Sequence, residues 1–139
     1  DVRGILDLIS PLEDQGILVK RSRELLENEI FRFVVVVHPE GLIIGCAALY
    51  PTSNEVVNEL ACVAVHEDFH DKGIGSRLLN YIETDAKHSK IQTLLVMTTK
   101  TAHWFAERGF AESKIADLPK NKQTLYNYQR NARIFCKAI

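Results

Sequence analysis

The sequence has little that would place it in a membrane, on nucleic acid or in an oxidising compartment. No uninterrupted apolar run approaches the roughly 20 residues that a membrane-spanning helix needs. The 17 basic and 18 acidic residues leave a net charge of −1, so no overall field recruits nucleic acid or anionic lipid. The three cysteines are odd in number and widely spaced, which argues against a secreted disulfide framework. We therefore expect a cytoplasmic protein with reduced thiols.

The composition is that of one ordinary globular domain. The residues are 46% hydrophobic and 25% charged, as in ordinary globular proteins. A length of 139 residues suffices for one sizeable core and is too short for two ordinary domains. We expect residues 1–139 to form a single domain. Because the sequence starts at Asp1 with a pattern typical of mid-helix, we also expect this domain to be cut from a longer protein.

The hydrophobic pattern predicts two helices, then an antiparallel run of strands, then alternating strands and helices. Apolar residues at helical spacing predict a helix over 2–15 that ends at Gly16, and Ser22 is placed to cap a second helix. Helices are predicted at 75–88 and 101–108, and strands at 33–37, 42–50, 56–65, 91–97, 110–113 and 133–137. This order predicts a mixed α+β domain of three layers, with a central sheet flanked by helices.

The most informative segment is an apolar strand that runs through a polar loop into a helix. The loop ends in Lys72-Gly-Ile-Gly-Ser76, and the first free N–H groups of a helix form an anion site suited to phosphate. The third glycine and the later acid of a dinucleotide fingerprint are missing, as is the Gly-Lys-Ser/Thr of a P-loop. By themselves, the two glycines are weak evidence for such a site and are more typical of a simple tight turn into a helix.

The order of strand, glycine loop, helix, strand and a short helix ending in Glu-Arg-Gly-Phe resembles the GNAT acetyltransferases. In that superfamily Arg/Gln-x-x-Gly-x-Gly/Ala binds the pyrophosphate of acetyl-CoA; here His70 stands in the first position. A narrower resemblance, to the acetyltransferase domain of the bacterial N-acetylglutamate synthases, covers nearly the whole chain. It rests on the segments Pro11–Glu13, Gly16–Glu24, Ile44–Leu49, Glu59–Cys62, Thr98–Phe105 and Tyr126–Arg130.

This resemblance implies the GNAT fold, with a mostly antiparallel central sheet, and an amino-acid N-acetyltransferase. The implied reaction transfers the acetyl group of acetyl-CoA directly to the α-amino group of L-glutamate, which is the first step of arginine biosynthesis. Acetyl-CoA is then a cosubstrate and no metal is needed; His66 and His70 would suit zinc only on a helix. The full-length protein is expected to add an N-terminal amino-acid-kinase-like domain and to form a homo-oligomer, without nucleic-acid or membrane partners.

The resemblance also implies which residues form the site. Glu59 matches the general base and Thr98 the general acid, while Arg21 and Arg130 match the arginines that bind the carboxylates of glutamate, a task suited to guanidinium groups. Cys62 is expected to contact both substrates, and backbone N–H groups near it are expected to stabilise the oxyanion where the strand bulges. The residues expected to bind acetyl-CoA are Cys62, Val63, Val65, His70, Lys72, Gly73, Ile74, Gly75 and Ser76.

One position departs from the superfamily, and several roles have alternatives. Phe105 stands where many GNAT enzymes have the tyrosine that protonates the departing thiolate. Thr98 has the alternative role of a strand-end residue that caps the next helix, and Glu59 that of an ordinary strand-end carboxylate. Two other functions fit the same fold: acetyl transfer to another amino acid, a small amine or a protein N-terminus, and acyl-CoA sensing without catalysis.

Overall fold

A computed structural model describes residues 2–98, 100–114, 119–120 and 132–139. Its described residues group into two compact units, one drawn from Asp1–Leu49 and Cys62–Ile82, the other from Tyr50–Ala61 and Glu83–Ile139. Two short 3-10 helices, Ile30–Arg32 and Glu67–Phe69, supplement the main elements. The main helices and strands are α1 (Val2–Asp14), α2 (Arg23–Glu29), β1 (Phe33–Val37), β2 (Ile43–Pro51), β3 (Val57–Val65), α3 (Ile74–His88), β4 (Thr93–Thr98), α4 (Ala102–Ala106), β5 (Ala111–Ser113) and β6 (Arg133–Ala138).

Within these ranges the six strands form one sheet in the order β1-β2-β3-β4-β6-β5. Antiparallel pairs join β1 with β2, β4 with β6 and β5 with β6, whereas β3 and β4 run parallel. Every helix and strand that the hydrophobic pattern predicted is present, with ends that shift by no more than two residues. The mixed, mostly antiparallel fold expected from the sequence is therefore confirmed.

In the first unit, a β-bulge in β2 connects the sheet to the segment that follows β3. Residues 43–48 are all buried, and the register with β1 shifts so that Ile44 is the extra residue. The carbonyl of Ile44 accepts the N–H of His66 at 2.8 Å. The Ile44 side chain packs with Ile74 and Leu78 of α3. The bulge therefore holds both the start of the β3–α3 loop and the helix that follows it.

Gly45, next to the bulge, lies beneath the first turns of α3. A Cβ atom at this position would come within 2.8 Å of Ile74 Cγ2 and 3.1 Å of Leu78 Cδ1. Neither contact is tolerated without movement of the helix or of these side chains. The missing side chain thus allows the N-terminal end of α3 to approach the strand closely.

In the second unit, the apolar strand β4 provides the core. Its residues Leu94–Val96 are fully buried. β4 pairs with Val57–Glu59 of β3 on one side and with the full length of β6 on the other. Lys137 of β6 donates to Glu83 of α3 at 2.9 Å, and the lysine stem lies against the position where Gly109 has no side chain. This ion pair is mostly buried and ties the end of α3 to β6.

β4 begins two residues later than the prediction of 91–97 because Ile91 belongs to the cap of α3. Lys90 adopts a left-handed φ of +65°, and the N–H of Ile91 bonds to the carbonyl of Ala86 at 2.9 Å. This 6→1 hydrogen bond is the one that closes many helix C-termini. The N–H of the following Gln92 bonds to the carbonyl of Val56 at 2.8 Å. The apolar side chain that indicated a strand is buried as part of the helix end.

Other local expectations are confirmed by the geometry. Gly16 has a φ of +74° just after α1, and the Ser22 hydroxyl accepts the N–H of Leu25 at 3.1 Å as the cap of α2. The three cysteines are free thiols, with Cys46 and Cys62 buried. No helix in the described ranges combines the length and apolar character required to cross a membrane.

The close approach at Gly45 makes a stability prediction. We expect Gly45→Ala to lower the free energy of unfolding by about 1–3 kcal/mol, because the new methyl group overpacks the contact with α3. Urea unfolding followed by circular dichroism measures this. The same substitution in an Ile74→Ala background should cost less, since the nearest atom has been removed. An equal cost in both backgrounds would contradict the assigned contact.

Candidate functional site

The loop between β3 and α3 is held by hydrogen bonds among its own residues. His66 Nδ1 accepts the N–H of Asp68 at 3.2 Å, and the Phe69 ring lies edge-on to the His66 ring. The His70 ring Nε2 donates to the carbonyl of Val65, at 2.9 Å. These contacts fix the loop against the end of β3. In the part of the chain that the structure describes, no group of three or more His, Cys, Asp or Glu side chains is arranged to hold a metal ion.

The loop ends in a conformation that leaves the first N–H groups of α3 exposed. Gly73 has a φ of +76°, and its carbonyl accepts the N–H of Arg77 at 3.0 Å, which makes it the residue that precedes the first helical turn. Asp71 is also left-handed, with a φ of +63°. The N–H groups of residues 74 and 75 precede the first hydrogen bond that the helix forms within itself. Together with the helix dipole, they form an anion-binding end suited to phosphate.

The residues expected to bind acetyl-CoA lie on β3, in this loop and at the start of α3, but their side chains differ in exposure. Because the Ile74 side chain belongs to the core, this residue offers a ligand only its backbone. The exposed residues are His70, Lys72 and Gly73; the half-buried ones are Val63, Val65, Gly75 and Ser76; the buried ones are Cys62 and Ile74.

β3 is irregular at Cys62, where the sequence predicted a bulged strand. Its φ of +56° is left-handed, an uncommon conformation for a residue other than glycine. Such a conformation costs roughly 1–3 kcal/mol and is often found at functional sites. The thiol of Cys46, on β2, donates to the carbonyl of Cys62 at 3.3 Å. The strained residue is therefore held by a neighbouring side chain inside the first unit.

The charge of Arg21 affects the pKa of the thiol at this strained position. A hydrogen bond between the side chains of Cys46 and Cys62 lowers the pKa of the Cys62 thiol, burial raises it, the guanidinium charge of Arg21 lowers it, and the carboxylate charge of Glu13 raises it. The hydrogen bond with Cys62, together with burial, raises the pKa of Cys46. Two residues predicted to contact substrate, Arg21 and Cys62, are thus brought into electrostatic contact by the first unit.

Glu13, at the end of α1, holds the segment that carries Arg21. Its carboxylate accepts the backbone N–H of Arg21 at 2.7 Å, and Arg21 Nη1 donates to the carbonyl of Val19 at 3.1 Å. The sequence reasoning did not assign this contact, because a side chain that bonds to a backbone eight residues away leaves no periodic signal. Arg130, the other predicted carboxylate-binding residue, lies outside the described residues.

The predicted acid and base lie in the second unit. Glu59 is half-buried on β3 and is paired with Leu95 of β4. Thr98 ends β4 and is 8% exposed. Its Oγ1 accepts the N–H of Thr101 at 3.1 Å and lies 2.5 Å from Thr101 Oγ1. Thr98 therefore stabilises the turn that leads into α4, but the N-cap residue of this helix is Thr101, and no side-chain hydrogen bond caps it.

Phe105, the residue in place of the usual tyrosine, is part of the packed interior of the second unit. It is 5% exposed, and its ring lies edge-on to Trp104 at 4.9 Å and to Phe110 at 5.3 Å between centroids. The guanidinium of Arg108 covers the Trp104 ring at 3.9 Å. These aromatic side chains pack against each other as core residues.

Known proteins are similar to this chain in sequence and in fold. The family profile described as acetyltransferase (GNAT) domain matches residues 29–112. Amino-acid acetyltransferases of Pseudomonas putida and Pseudomonas syringae are 56% and 57% identical to the chain over all of its 139 residues, which correspond to 32% of each relative. The N-acetylglutamate synthase from Neisseria gonorrhoeae, solved with coenzyme A and N-acetyl-glutamate, is 41% identical with a TM-score of 0.96, covering 99% of this chain and 32% of that one.

These similarities establish the family, while the chain spans about a third of the length of the relatives it matches. The matched profile covers more than half of the chain and includes β3, the glycine loop, α3 and the Glu-Arg-Gly-Phe segment. The expectation drawn from those segments is confirmed: the chain belongs to the GNAT acetyltransferase family.

Proposed function

We propose that this domain is an amino-acid N-acetyltransferase that uses acetyl-CoA and L-glutamate to make N-acetyl-L-glutamate and CoA. One observation carries the proposal: the synthase that matches the chain with a TM-score of 0.96 was solved with coenzyme A and N-acetyl-glutamate, the two products of that reaction. The curated relatives, more than 50% identical, are amino-acid acetyltransferases. Direct transfer between the two bound substrates needs no covalent acetyl-enzyme.

The anion-binding start of α3 suits the pyrophosphate of acetyl-CoA. The donors are the backbone N–H groups of Ile74 and Gly75, supported by the dipole of a 15-residue helix and by the exposed ammonium of Lys72. Apart from its two chain neighbours, no described residue has an atom within 4 Å of the position where a Cβ would stand on Gly73, so the backbone there is open with respect to the described part of the chain. His70 supports this loop through its bond to Val65.

The substrate carboxylates are assigned to Arg21 and Arg130. A guanidinium binds a carboxylate through two parallel hydrogen bonds, which makes recognition of glutamate specific as well as strong. Arg21 supports this assignment because Glu13 fixes its backbone and its charge acts at Cys62. We assign Cys62 a contact with the substrates through its irregular backbone.

The family resemblance assigns a step of the reaction to each residue. Glu59 accepts a proton from the ammonium group of glutamate, so that the amine nitrogen attacks the acetyl carbonyl carbon. The N–H groups of Cys62 and Val63 stabilise the oxyanion, a C–N bond forms and the C–S bond breaks. Thr98 gives its hydroxyl proton to the departing sulfur. Of the two protons that the ammonium loses, one replaces the proton on Thr98 and the other leaves to solvent.

The proposal extends to the whole protein in three respects. We propose a cytoplasmic enzyme of arginine biosynthesis, a homo-oligomeric full-length protein, and an additional N-terminal amino-acid-kinase-like domain. These parts rest on the resemblance of the sequence, and not on contacts in the described residues. Thiol release from acetyl-CoA, measured with each common amino acid as acceptor, tests the central reaction. Turnover with other amines but not with glutamate would contradict the assigned substrate.

Substitution of Arg21 tests whether this residue determines specificity for glutamate. We expect Arg21→Ala to raise the KM for glutamate by roughly 10- to 100-fold and to leave the KM for acetyl-CoA nearly unchanged, because a charged hydrogen bond to the acceptor is lost. Arg23→Ala is the matched control, since that residue forms an exposed ion pair with Glu27 at 3.0 Å. Steady-state kinetics of both variants decide the assignment. Equal effects of Arg21→Ala on both KM values would exclude a role in glutamate binding.

Substitution of Glu59 tests whether this residue is the general base. We expect Glu59→Gln to lower kcat by roughly 100- to 10,000-fold, because the amide does not accept the proton of the ammonium group. Binding of acetyl-CoA, measured by calorimetry, should be unchanged. Glu55→Gln removes an exposed carboxylate four residues earlier and should leave turnover intact. Unchanged turnover of Glu59→Gln would reject it as the base and favour the alternative of a strand-end carboxylate.

A further inference from the structure

Two threonine hydroxyl groups meet where β4 ends. Thr98 Oγ1 lies 2.5 Å from Thr101 Oγ1, and it also accepts the backbone N–H of Thr101 at 3.1 Å. Thr98 is the one buried polar residue in the described part of the chain, whereas Thr101 is half-buried at the start of α4. The second threonine belongs to a segment that carried the family resemblance, but no role was assigned to it.

The direction of the hydrogen bond between the two hydroxyls decides what Thr98 can do. A threonine hydroxyl has one proton to donate and two lone pairs that accept. If Thr98 donates to Thr101, the only hydroxyl proton of Thr98 is engaged in that hydrogen bond. If Thr101 donates, Thr98 Oγ1 accepts two hydrogen bonds and keeps its own proton for a third partner. Only the second arrangement is compatible with protonation of a departing thiolate by Thr98.

We propose that Thr101 is a positioning residue that donates its hydroxyl proton to Thr98 and thereby directs the Thr98 proton to the CoA sulfur. This inference rests on the proposed function, since it takes Thr98 as the proton donor. As the C–S bond breaks, the electron pair of that bond goes to sulfur, and sulfur takes the Thr98 proton. Thr98 oxygen then takes the Thr101 proton. One of the two protons lost by the ammonium group replaces the proton of Thr101, so that Thr98 is restored by way of Thr101, and the other leaves to solvent.

The two donors from Thr101 also supply the electrostatic stabilisation that a hydroxyl acid needs. Negative charge develops on Thr98 oxygen as its proton leaves, and hydrogen bonds to a charged acceptor are stronger than hydrogen bonds to a neutral one. Because Thr98 is 8% exposed, water competes little for this oxygen. The N–H donor comes from the backbone and is independent of the side chain, so a substitution can remove the hydroxyl donor alone.

Thr101→Val tests the role of the hydroxyl while it keeps the branched shape of the side chain. With glutamate as acceptor, we expect kcat to fall about 10-fold and both KM values to stay unchanged, since one of two hydrogen bonds to the acid is lost. Thr101→Ser restores a hydroxyl and should restore most of the rate. A variant without rate loss, or a loss that serine does not rescue, would overturn the proposal.

A double-mutant cycle separates positioning from a structural role. Because Thr101 acts through Thr98, the Thr98→Val/Thr101→Val variant should be no slower than Thr98→Val alone. Additive losses would show that Thr101 supports the fold and not the acid. If Thr98→Val itself turns over glutamate at the normal rate, the proposed acetyl transfer stands and the inference on the threonine pair fails.

The hydrogen-bond direction itself is measurable without activity. Neutron diffraction from crystals of the chain exchanged into D₂O locates the deuteron between the two oxygens. We expect it on Thr101 Oγ1; a deuteron on Thr98 Oγ1 pointing to Thr101 would overturn the inference. A full-length protein that transfers acetyl groups to no amine would refute the proposed function, whereas the neutron result would still decide which hydroxyl is the donor.

Discussion

The close contact between β2 and the first turns of α3 determines the geometry of the anion-binding loop. Gly45 leaves room for the helix, and the bulge at Ile44 offers its carbonyl to His66 where the loop begins. With both ends held, the loop reaches the helix through left-handed residues at Asp71 and Gly73. The N–H donors are therefore oriented before any ligand arrives, and binding does not have to pay for ordering them.

Three of the residues assigned to chemistry, Arg21, Cys62 and Thr98, lie where regular structure is interrupted, and each interruption is held by a nearby hydrogen bond, whereas Glu59 lies in the regular pairing of β3 with β4. Cys62 departs from extended geometry within β3 and is held by the thiol of Cys46. Arg21 lies in a segment between two helices and is held by Glu13, and Thr98 ends a strand and is held by Thr101. Backbone groups that leave a sheet or begin a helix are available to a substrate, whereas groups inside regular elements bond to each other. A rigid neighbour then keeps the available group in one orientation.

Local sequence signals were enough to predict the helices and strands and the glycine turn before α3, because β-branched runs, the Ser22 cap and the glycines act over a few residues. They failed at Ile91, where a buried apolar residue in a helix cap has the same pattern as one in a strand. The position of β6 between β4 and β5 brings together residues distant in the chain, and no periodicity indicates it. The assignment of Glu59, Thr98 and the two arginines came from family resemblance. Glu13 and Thr101 were missed because single hydrogen bonds to them leave no repeating pattern.

The replacement of tyrosine by Phe105 and the threonine pair at the end of β4 are consistent parts of one arrangement. The Phe105 ring is packed between Trp104 and Phe110, and a hydroxyl buried there without a partner would cost about 1–3 kcal/mol. An apolar ring avoids that cost but supplies no proton. In the same unit, Thr98 has a hydroxyl whose oxygen is already held by the backbone N–H of Thr101. In the proposed reaction the proton donor is therefore a hydroxyl at a strand end and not an aromatic side chain in the core, and a second hydroxyl lies close enough to orient it.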